Sequence, residues 1–212
     1  SASGEDAFFA LLLDNDTLKG DLLVKFNNNL VNIYKQPDIV VTNASYIANG
    51  GAFNGNIIAR AINDSWDVSE IRGSQVYPEF VGSNSAPVIT YDENILDYYT
   101  GAPVETGESK PICFNITNLF NEWLSGERAN NGFALTVDNE DAQALLIVSG
   151  YYSINNKKTY YYSYCTVDYI ETSGYNSNYE YVSQNVGRAG TFNVNTLRIL
   201  VWHKIILLSI IS

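Results

Sequence analysis

Hydrophobic and polar residues alternate along residues 111–150 in the pattern of half-buried β-strands. Two sets of three apolar residues alternate with polar neighbours: Ile112, Phe114 and Ile116, and then Phe133, Leu135 and Val137. A period of two places one set of side chains in a core and the other set in solvent. The apolar run 144–148 follows an acidic turn, so we predict three strands in this stretch.

Between the first two of these strands the apolar spacing changes to that of a short helix near residues 118–125. Four apolar residues fall on one helical face: Leu119, Phe120, Trp123 and Leu124. Either Thr117 or Asn118 can cap the first turn, and Gly126 is suited to end the helix. We therefore predict one helix whose Trp123 is buried against the sheet.

Short apolar, β-branched stretches recur through the rest of the chain, separated by turns that contain Asn, Gly or Pro. Strands are predicted over residues 7–13, 21–26, 38–41, 45–48, 57–62 and 88–91, and a tyrosine-rich hairpin or long loop over 151–164. Residues 74–87 and 101–111 are predicted to be loops. Long apolar stretches at helical spacing are nearly absent, so the predicted fold class is all-β.

The strand, the Trp-bearing helix and the N-G-F-x-L strand that follows resemble the DNRLRE domain, a carbohydrate-binding-module-like jelly roll of bacterial surface proteins. Four further segments are similar to parts of that family: AINDSW at 61–66, LDYY at 96–99, TVDYIE at 166–171 and NVGRAGTFNV at 185–194. The DNRLRE tetrapeptide itself is absent. The resemblance implies a jelly-roll β-sandwich with one short helix, in which we expect Trp66, Trp123 and Phe133 to be structural.

The resemblance divides the chain into a sandwich at residues 1–172, a linker at 173–196 and an apolar tail at 197–212. It implies a non-catalytic module of an extracellular or cell-surface bacterial protein, with a downstream Rhs-type repeat region as its partner. Two functions are compatible with it, a carbohydrate-binding module and a structural spacer with no ligand of its own. A polysaccharide lyase on a similar jelly roll is a distant third.

Composition supports the same class. The 16 Tyr, 9 Phe and 15 Gly favour short strands and tight turns. The formal net charge of −11 argues against nucleic acid as a partner, because phosphate binding needs a basic face. Methionine is missing and no signal peptide is visible, which indicates a processed or excised piece.

The tail LRILVWHKIILLSIIS differs sharply from the preceding chain, because it has no acid, Gly or Asn and holds the only histidine. Arg198, His203 and Lys204 interrupt it, and it is short for a membrane span, which needs about 20 apolar residues. A membrane association is therefore not expected. A truncated or frame-shifted terminus is the first explanation, a docked strand or helix the second, and a membrane anchor the third.

The two cysteines are expected on opposite faces of their strands. If Ile112 and Phe114 face the core, Cys113 faces outward, whereas Cys165 shares a face with Val167 and is expected inward. A disulfide needs closely approaching β-carbons, so this parity argues against a bridge. An oxidising compartment would still permit one.

Catalytic motifs are not found in the sequence. The lone His203 lies in the anomalous tail, and His and Cys are too few for a zinc site. The segment NGGAFNG at 49–55 lacks the lysine of a phosphate-binding loop. The 23 acidic residues are interpreted as solvated surface charges, so we predict that the chain is not an enzyme.

A structural calcium ion is the one cofactor for which the sequence offers ligands. Hard oxygen ligands occur in two acidic turns, with Asp14 and Asp16 in the first and Asp138 and Asp141 in the second. Both segments are also ordinary turn sequences, because Asp and Asn hydrogen-bond their own backbone. The sequence leaves both interpretations open.

A tyrosine-rich segment at 151–164 supplies the candidate ligand platform, because sugar rings can stack on exposed aromatic rings. The candidate ligand-binding residues are Tyr151, Tyr152, Tyr161, Lys157 and Lys158. The alternative is that these tyrosines simply suit strands. The acidic net charge predicts that any bound polysaccharide is neutral or that its acid groups are met by calcium.

Overall fold

The structure is a computed structural model of the chain. It describes residues 8–15, 19–67, 71, 73–77, 88–139, 142–154, 157–173, 183–186, 190–193 and 199–203. Strands make up most of these residues, which confirms the all-β prediction.

The strands, numbered along the chain, are β1 (Phe8–Asp14), β2 (Lys19–Val24), β3 (Ile39–Asn54), β4 (Ile57–Ile62), β5 (Tyr91–Tyr99), β6 (Val104–Asn115), β7 (Phe133–Val137), β8 (Gln143–Ile154), β9 (Lys157–Tyr162), β10 (Tyr164–Ser173), β11 (Ser183–Val186), β12 (Gly190–Asn193) and β13 (Ile199–His203). The helices are α1 (Asn28–Val31), α2 (Gly73–Val76) and α3 (Thr117–Ser125), and a 3₁₀ turn spans Asn32–Tyr34.

Four predictions about the extent of strands and loops were wrong. The predicted strands 38–41 and 45–48 are parts of β3, a single strand of 16 residues. The strand predicted over 88–91 overlaps β5 only at Tyr91. The loop predicted over 101–111 ends early, because β6 begins at Val104, and the loop predicted over 74–87 contains most of α2. In β3 and β6, pairing with neighbouring strands extends the ladder through residues that carry no apolar alternation.

All pairings between the strands are antiparallel, and the first eight strands follow a simple rule. Strand β1 pairs with β8, β2 with β7, β3 with β6 and β4 with β5. Further pairings of β3 with β8 and of β4 with β7 give two four-strand groups, in the orders β1-β8-β3-β6 and β2-β7-β4-β5. A short pairing at the end of β1 and the start of β2 joins the groups.

The sheet is curled, so that its edge strands β5 and β6 approach each other. The Asn115 N–H at the end of β6 donates to Asp97 Oδ2 in β5 at 2.6 Å. The rings of Tyr99 and Phe114 lie 6.2 Å apart on the inner side. The curl therefore encloses one main hydrophobic core between the two strand groups.

Aromatic side chains fill the centre of that main core. Phe133 packs edge-on against Tyr46 at 5.3 Å and against Phe26 at 5.9 Å, and Phe26 contacts Trp123 at 5.9 Å. The residues predicted to alternate inward are all buried: Ile112, Phe114, Ile116, Phe133, Leu135 and Val137. The period of two in the sequence thus identified the inner face correctly.

Helix α3 follows β6 directly and lies against the main core. Leu119, Phe120 and Trp123 are buried on one face, and Gly126 ends the helix at φ +81°. The predicted caps Thr117 and Asn118 were wrong. The helix begins at Thr117, and the Asn115 side chain accepts from the Thr117 N–H at 2.9 Å. Asn115, Thr117 and Asn118 are all polar and lie within three residues of one another. The sequence therefore cannot decide which of their side chains accepts from the N–H groups of the first helical turn.

The outer face of the second strand group is covered by the β4–β5 connection. Leu23, Ile62 and Ala134 point outward from β2, β4 and β7 and form a second buried cluster with Trp66, Ile71 and Ile89. The Trp66 Nε1–H donates to the Asn131 carbonyl at 2.7 Å. We call the described residues of this connection, 63–67, 71, 73–77 and 88–90, the cover.

The two cysteines are free, Cys113 exposed and Cys165 buried. They flank β3 on opposite sides, because Cys113 is paired with Ile47 and Cys165 with Tyr46. Successive residues of β3 face opposite sides of the sheet, so the cysteines do too. The parity argument from the sequence gave the correct faces.

Backbone pairing continues into the predicted linker and tail. Strands β11 and β12 pair with β10, and β13 pairs with β2 from Val24 to Gly20. The side chains of these strands lie outside the described part of the structure, and the linker interpretation of 173–196 stays a prediction. No helix among the described residues is long and apolar enough to cross a membrane.

Replacing Trp123 by alanine should lower the free energy of unfolding by about 3–5 kcal/mol, because it removes a buried aromatic from between Phe26 and Phe120. Chemical denaturation measures the change. The control Asn118→Ala, on the exposed face of α3, should stay within about 0.5 kcal/mol of the parent. Equal stability of the two variants would contradict the packing role of Trp123.

Two glycines with positive φ allow the cost of backbone strain to be measured separately from the cost of a steric collision. Gly107 (φ +89°) has open space where a Cβ would lie, whereas a Cβ on Gly132 (φ +76°) would collide with the Val24 carbonyl oxygen. Both alanine variants carry the left-handed strain of about 1 kcal/mol. Gly132→Ala should cost about 1–3 kcal/mol more than Gly107→Ala, as overpacking does. Thermal unfolding of both variants tests the difference.

Candidate ligand cleft

Three turns meet at one end of the sheet, which we call the turn end. They are the β3–β4 connection at 55–56, the β5–β6 connection at 100–103 and the β7–β8 connection, of which Asp138, Asn139 and Ala142 are described. Gly55, at φ +82°, lies so close to Ala142 that a Cβ would collide with its side chain. The Gln143 N–H donates to Asn54 Oδ1 at 3.1 Å. These contacts fix the first and third turns against each other.

A cleft of about 560 Å³ opens at the turn end. It is lined by Ala52, Phe53, Asn54, Pro103, Val104, Glu105, Thr106 and Gln143. The β3 ladder shifts register between Gly51 and Phe53, and Ala52 adopts a positive φ of +37°. Bulges of this kind re-aim side chains, and a positive φ at a non-glycine residue stores backbone strain. The strain is therefore located at the wall of the cleft.

Lys110 fixes the apolar wall of the cleft from behind. Its Nζ lies 5.7 Å from the Phe53 ring centre and 5.9 Å from that of Tyr99. It also donates to the Ala102 carbonyl at 3.0 Å. Both rings attract the ammonium group, and the hydrogen bond ties the β5–β6 turn to β6. Its charge is thus engaged by the protein.

A hydrogen-bonded cluster of Asn56, Tyr98 and Asp138 lies next to the cleft residues at the turn end. Asn56 Nδ2 donates to Asp138 Oδ2 at 2.9 Å and to the Tyr98 hydroxyl at 2.8 Å, and that hydroxyl donates to Asp138. Partial burial acts to raise the pKa of Asp138, but the bonds from Tyr98 and Asn56 outweigh it and lower that pKa below its ordinary value. The Tyr98 side chain remains 40 % exposed.

The cleft offers hydrogen bonding combined with apolar contact. Asn54 and Gln143 carry side-chain amides, Thr106 a hydroxyl and Glu105 a carboxylate, beside the apolar Phe53 and Val104. Amides and hydroxyls both donate and accept, and a carboxylate accepts from up to two hydroxyls. Such a set suits a polyhydroxylated ligand with an apolar face.

The predicted calcium ligands are only partly within the described residues. Asp14 forms an ion pair with Lys19, and Asp138 accepts from Tyr98 and Asn56. Asp16 and Asp141 lie outside the described residues. No group of three or more acidic, His or Cys residues suited to a metal occurs in the part of the chain that the structure describes. Calcium at these turns stays a prediction.

The tyrosine-rich segment forms a hairpin of β8 and β9. Of the two structures predicted for it, a hairpin and a long loop, the hairpin is confirmed. Its register pairs Tyr151 with Tyr160 and Gly150 with Tyr161. The side chains of Tyr151, Tyr152, Tyr161, Lys157 and Lys158 lie outside the described residues. Tyr151 is eight residues from Gln143 along β8, roughly 26 Å at strand rise. The structure therefore separates the tyrosine hairpin from the cleft.

The aromatic residues expected to be structural lie in hydrophobic clusters. Trp123 and Phe133 belong to the main core, and Trp66 to the cluster beneath the cover. They offer no exposed ring to a sugar. A second, more apolar groove of about 500 Å³ lies between the start of β3 and α3, beside Tyr34, Val40 and Leu124. The sequence predicted neither this groove nor the cleft, because each combines segments far apart in the chain.

Comparison with known proteins adds no relative: no family model matches the chain, and no curated protein matches it. The resemblance to the DNRLRE domain therefore rests on the sequence motifs alone.

Replacing Lys110 by methionine should loosen the cleft wall, because it removes the attraction to Phe53 and Tyr99 and the bond to Ala102. We expect a loss of about 1 kcal/mol in unfolding free energy. Lys35→Met, at an exposed lysine, is the matched control and should stay within about 0.5 kcal/mol. An unaltered Lys110→Met protein would contradict the role given to the ammonium group.

Proposed function

We propose that this chain is a non-catalytic carbohydrate-binding module of an extracellular or cell-surface bacterial protein, and that the cleft at the turn end holds a neutral polysaccharide. One observation carries the proposal. The cleft places two amides, a hydroxyl and a carboxylate, from Asn54, Gln143, Thr106 and Glu105, beside the apolar surface of Phe53 and Val104. Sugars present hydroxyls around apolar C–H faces, so both kinds of surface find a counterpart.

A jelly-roll fold is part of the proposal, and the strand order supports it. A jelly roll is an antiparallel ribbon rolled up so that its eight strands form two sheets. In such a ribbon the first strand pairs with the last, the second with the seventh, and so on. The pairings β1–β8, β2–β7, β3–β6 and β4–β5 follow that rule.

Local charge favours a neutral ligand. Glu105 lines the cleft, Glu108 is exposed on the same strand, and Asp138 lies in the adjacent cluster. Lys110, a cation on the same strand as Glu105 and Glu108, already interacts with two rings and a carbonyl. A polymer of uronic acids would meet like charges there, which lowers both the encounter rate and the affinity.

Binding is proposed in preference to catalysis because the described residues of the cleft provide few groups that could act as an acid, a base or a nucleophile. The chain has one histidine, and the most perturbed carboxyl group of the described residues, Asp21, is buried away from the cleft. Glycoside hydrolysis needs two carboxyl groups positioned on either side of the scissile bond. Among the described residues that line the cleft, Glu105 is the one that carries a carboxylate.

A spacer is the second candidate function. It is favoured by the similarity of residues 185–194 to the linker that joins this kind of domain to an Rhs-type repeat region. In that case the domain would present the downstream repeats and bind no ligand of its own.

The test is binding of the full chain to neutral and to uronic-acid polysaccharides at low salt, with a chelator present. Binding to a neutral polymer is expected, and Glu105→Gln should weaken it about 10- to 100-fold, the effect of losing a hydrogen bond to a charged group. Glu108→Gln is the matched control on the same strand and should bind like the parent.

Other outcomes discriminate between the alternatives. Binding to neither polymer would reject the module and leave the spacer. Tight, salt-sensitive binding to the acidic polymer alone would show that the charge argument is wrong. Neutral binding that survives Glu105→Gln and is lost in Tyr161→Ala would move the site to the tyrosine hairpin.

A further inference from the structure

Asp21 is a buried carboxylic acid to which no cation of the described residues is bonded. It points outward from β2, yet its residue is only 2 % exposed. The Tyr77 hydroxyl donates to its Oδ1 at 2.7 Å, and the Tyr91 hydroxyl donates to its Oδ2 at 2.6 Å. When Asp21 is ionised, the two neutral hydroxyls satisfy its oxygens but supply no charge, and a buried carboxylate is costly unless it is paired with a cation. When Asp21 is protonated, its own O–H donates to one of the two tyrosine oxygens, and the other hydroxyl still donates to the carboxyl oxygen.

Both tyrosines belong to the cover or its end. Tyr77 follows α2 within the cover, and Tyr91 is the first residue of β5, directly after it. Both pack against the cluster of Leu23, Ile62 and Ala134 that the cover buries. The contacts of Asp21 therefore fasten this connection to β2, which neighbours it in space but not in sequence.

The charged groups around Asp21 have other partners. Lys19 is paired with Asp14 and lies 5.6 Å from the centre of the Tyr77 ring. Lys25, at the other end of β2, donates to the Trp66 carbonyl at 2.8 Å. His203 is opposite Gly20 in the β13 ladder, and its side chain lies outside the described residues. Burial raises the pKa of Asp21 to about 6, against the opposing effect of the bonds from Tyr91 and Tyr77.

We infer that Asp21, Tyr77 and Tyr91 form a proton-controlled latch, which holds the cover over the outer face of β2, β4 and β7 while Asp21 is protonated and loosens when it ionises. Opening hydrates the carboxylate and exposes the apolar residues Leu23, Ile62 and Ala134. The device is independent of the proposed sugar site, because the cleft is built from β3, β6 and β8.

The direction of the pH dependence follows from linkage. A carboxyl group with a pKa of about 6 when latched and near 3.8 when hydrated binds its proton more tightly in the closed form. The stabilisation is complete below about pH 4 and is lost as the pH rises through 6. The difference between the two values corresponds to a change of roughly 100-fold in the ratio of closed to open forms.

Hydrogen exchange of the full chain tests the latch. After correction for intrinsic rates, protection of the cover amides of Asn63, Ile71 and Ile89 should fall roughly 25-fold between pH 4.5 and 7.5. This is less than the total change of roughly 100-fold, because part of that change occurs below pH 4.5. Each of these N–H groups donates to a carbonyl within the cover. Amides of α3 serve as the internal reference and should not follow this change.

Three variants make the test specific. Asp21→Asn should abolish the pH dependence, because it cannot ionise. Tyr91→Phe removes a bond that lowers the pKa of Asp21, so the midpoint should move to higher pH. His203→Gln should leave the profile unchanged.

An unchanged pH profile in Asp21→Asn would overturn the latch, as would an equal loss of protection in α3. If Asp21→Asn does not fold, an unshifted midpoint in Tyr91→Phe overturns it as well.

Discussion

The pairing of β3 with three other strands is the constraint on which the rest of the structure depends. Over its 16 residues β3 pairs with β10 at its start and with β8 at its end, and with β6 along the opposite edge. Such a strand joins local hairpins into one curled sheet. Gly50 lets the Phe53 ring lie close against the strand, because a Cβ there would come within 2.9 Å of that ring. The bulge after Gly51 then turns Phe53 toward the cleft, so core and candidate site share one origin.

The sequence predicts this fold best where one period of alternation extends unbroken. The strands around Ile112–Ile116 and Phe133–Val137 are buried on the predicted side, and the apolar spacing of α3 predicted its buried face. Prediction failed where pairing partners decide the outcome. Residues 42–44, Thr-Asn-Ala, carry no strand pattern, yet the ladder with β10 continues across them with a register shift at Thr42. An edge or a bulge is set by a partner distant in sequence, which local periodicity cannot show.

The candidate site and the latch lay beyond sequence reasoning for a related reason. The cleft combines residues near 53, 104 and 143, and Asp21 bonds to tyrosines 56 and 70 residues away. One signal was nonetheless present. Leu22, Leu23 and Val24 are consecutive apolar residues, which in a strand indicates burial on both faces. A strand of that kind needs a cover on its outer side, and an aspartate at its start then needs partners from that cover.

Charge placement connects the two functional proposals. Several acids are neutralised locally: Asp14 by Lys19, and Asp92 and Glu122 by Arg128. Asp21 can be neutralised only by a proton, because its bonded partners are hydroxyls. At the turn end, the bonds from Tyr98 and Asn56 lower the pKa of Asp138 and so favour its charged form, Glu105 is exposed, and Lys110 is held over two rings. In this proposal the negative charge of Asp21 is removed by protonation under the cover, whereas the negative charge of Glu105 is exposed to solvent at the cleft. A carboxylate that remains charged and hydrated can accept hydrogen bonds from sugar hydroxyls, whereas a buried one can act only as a switch.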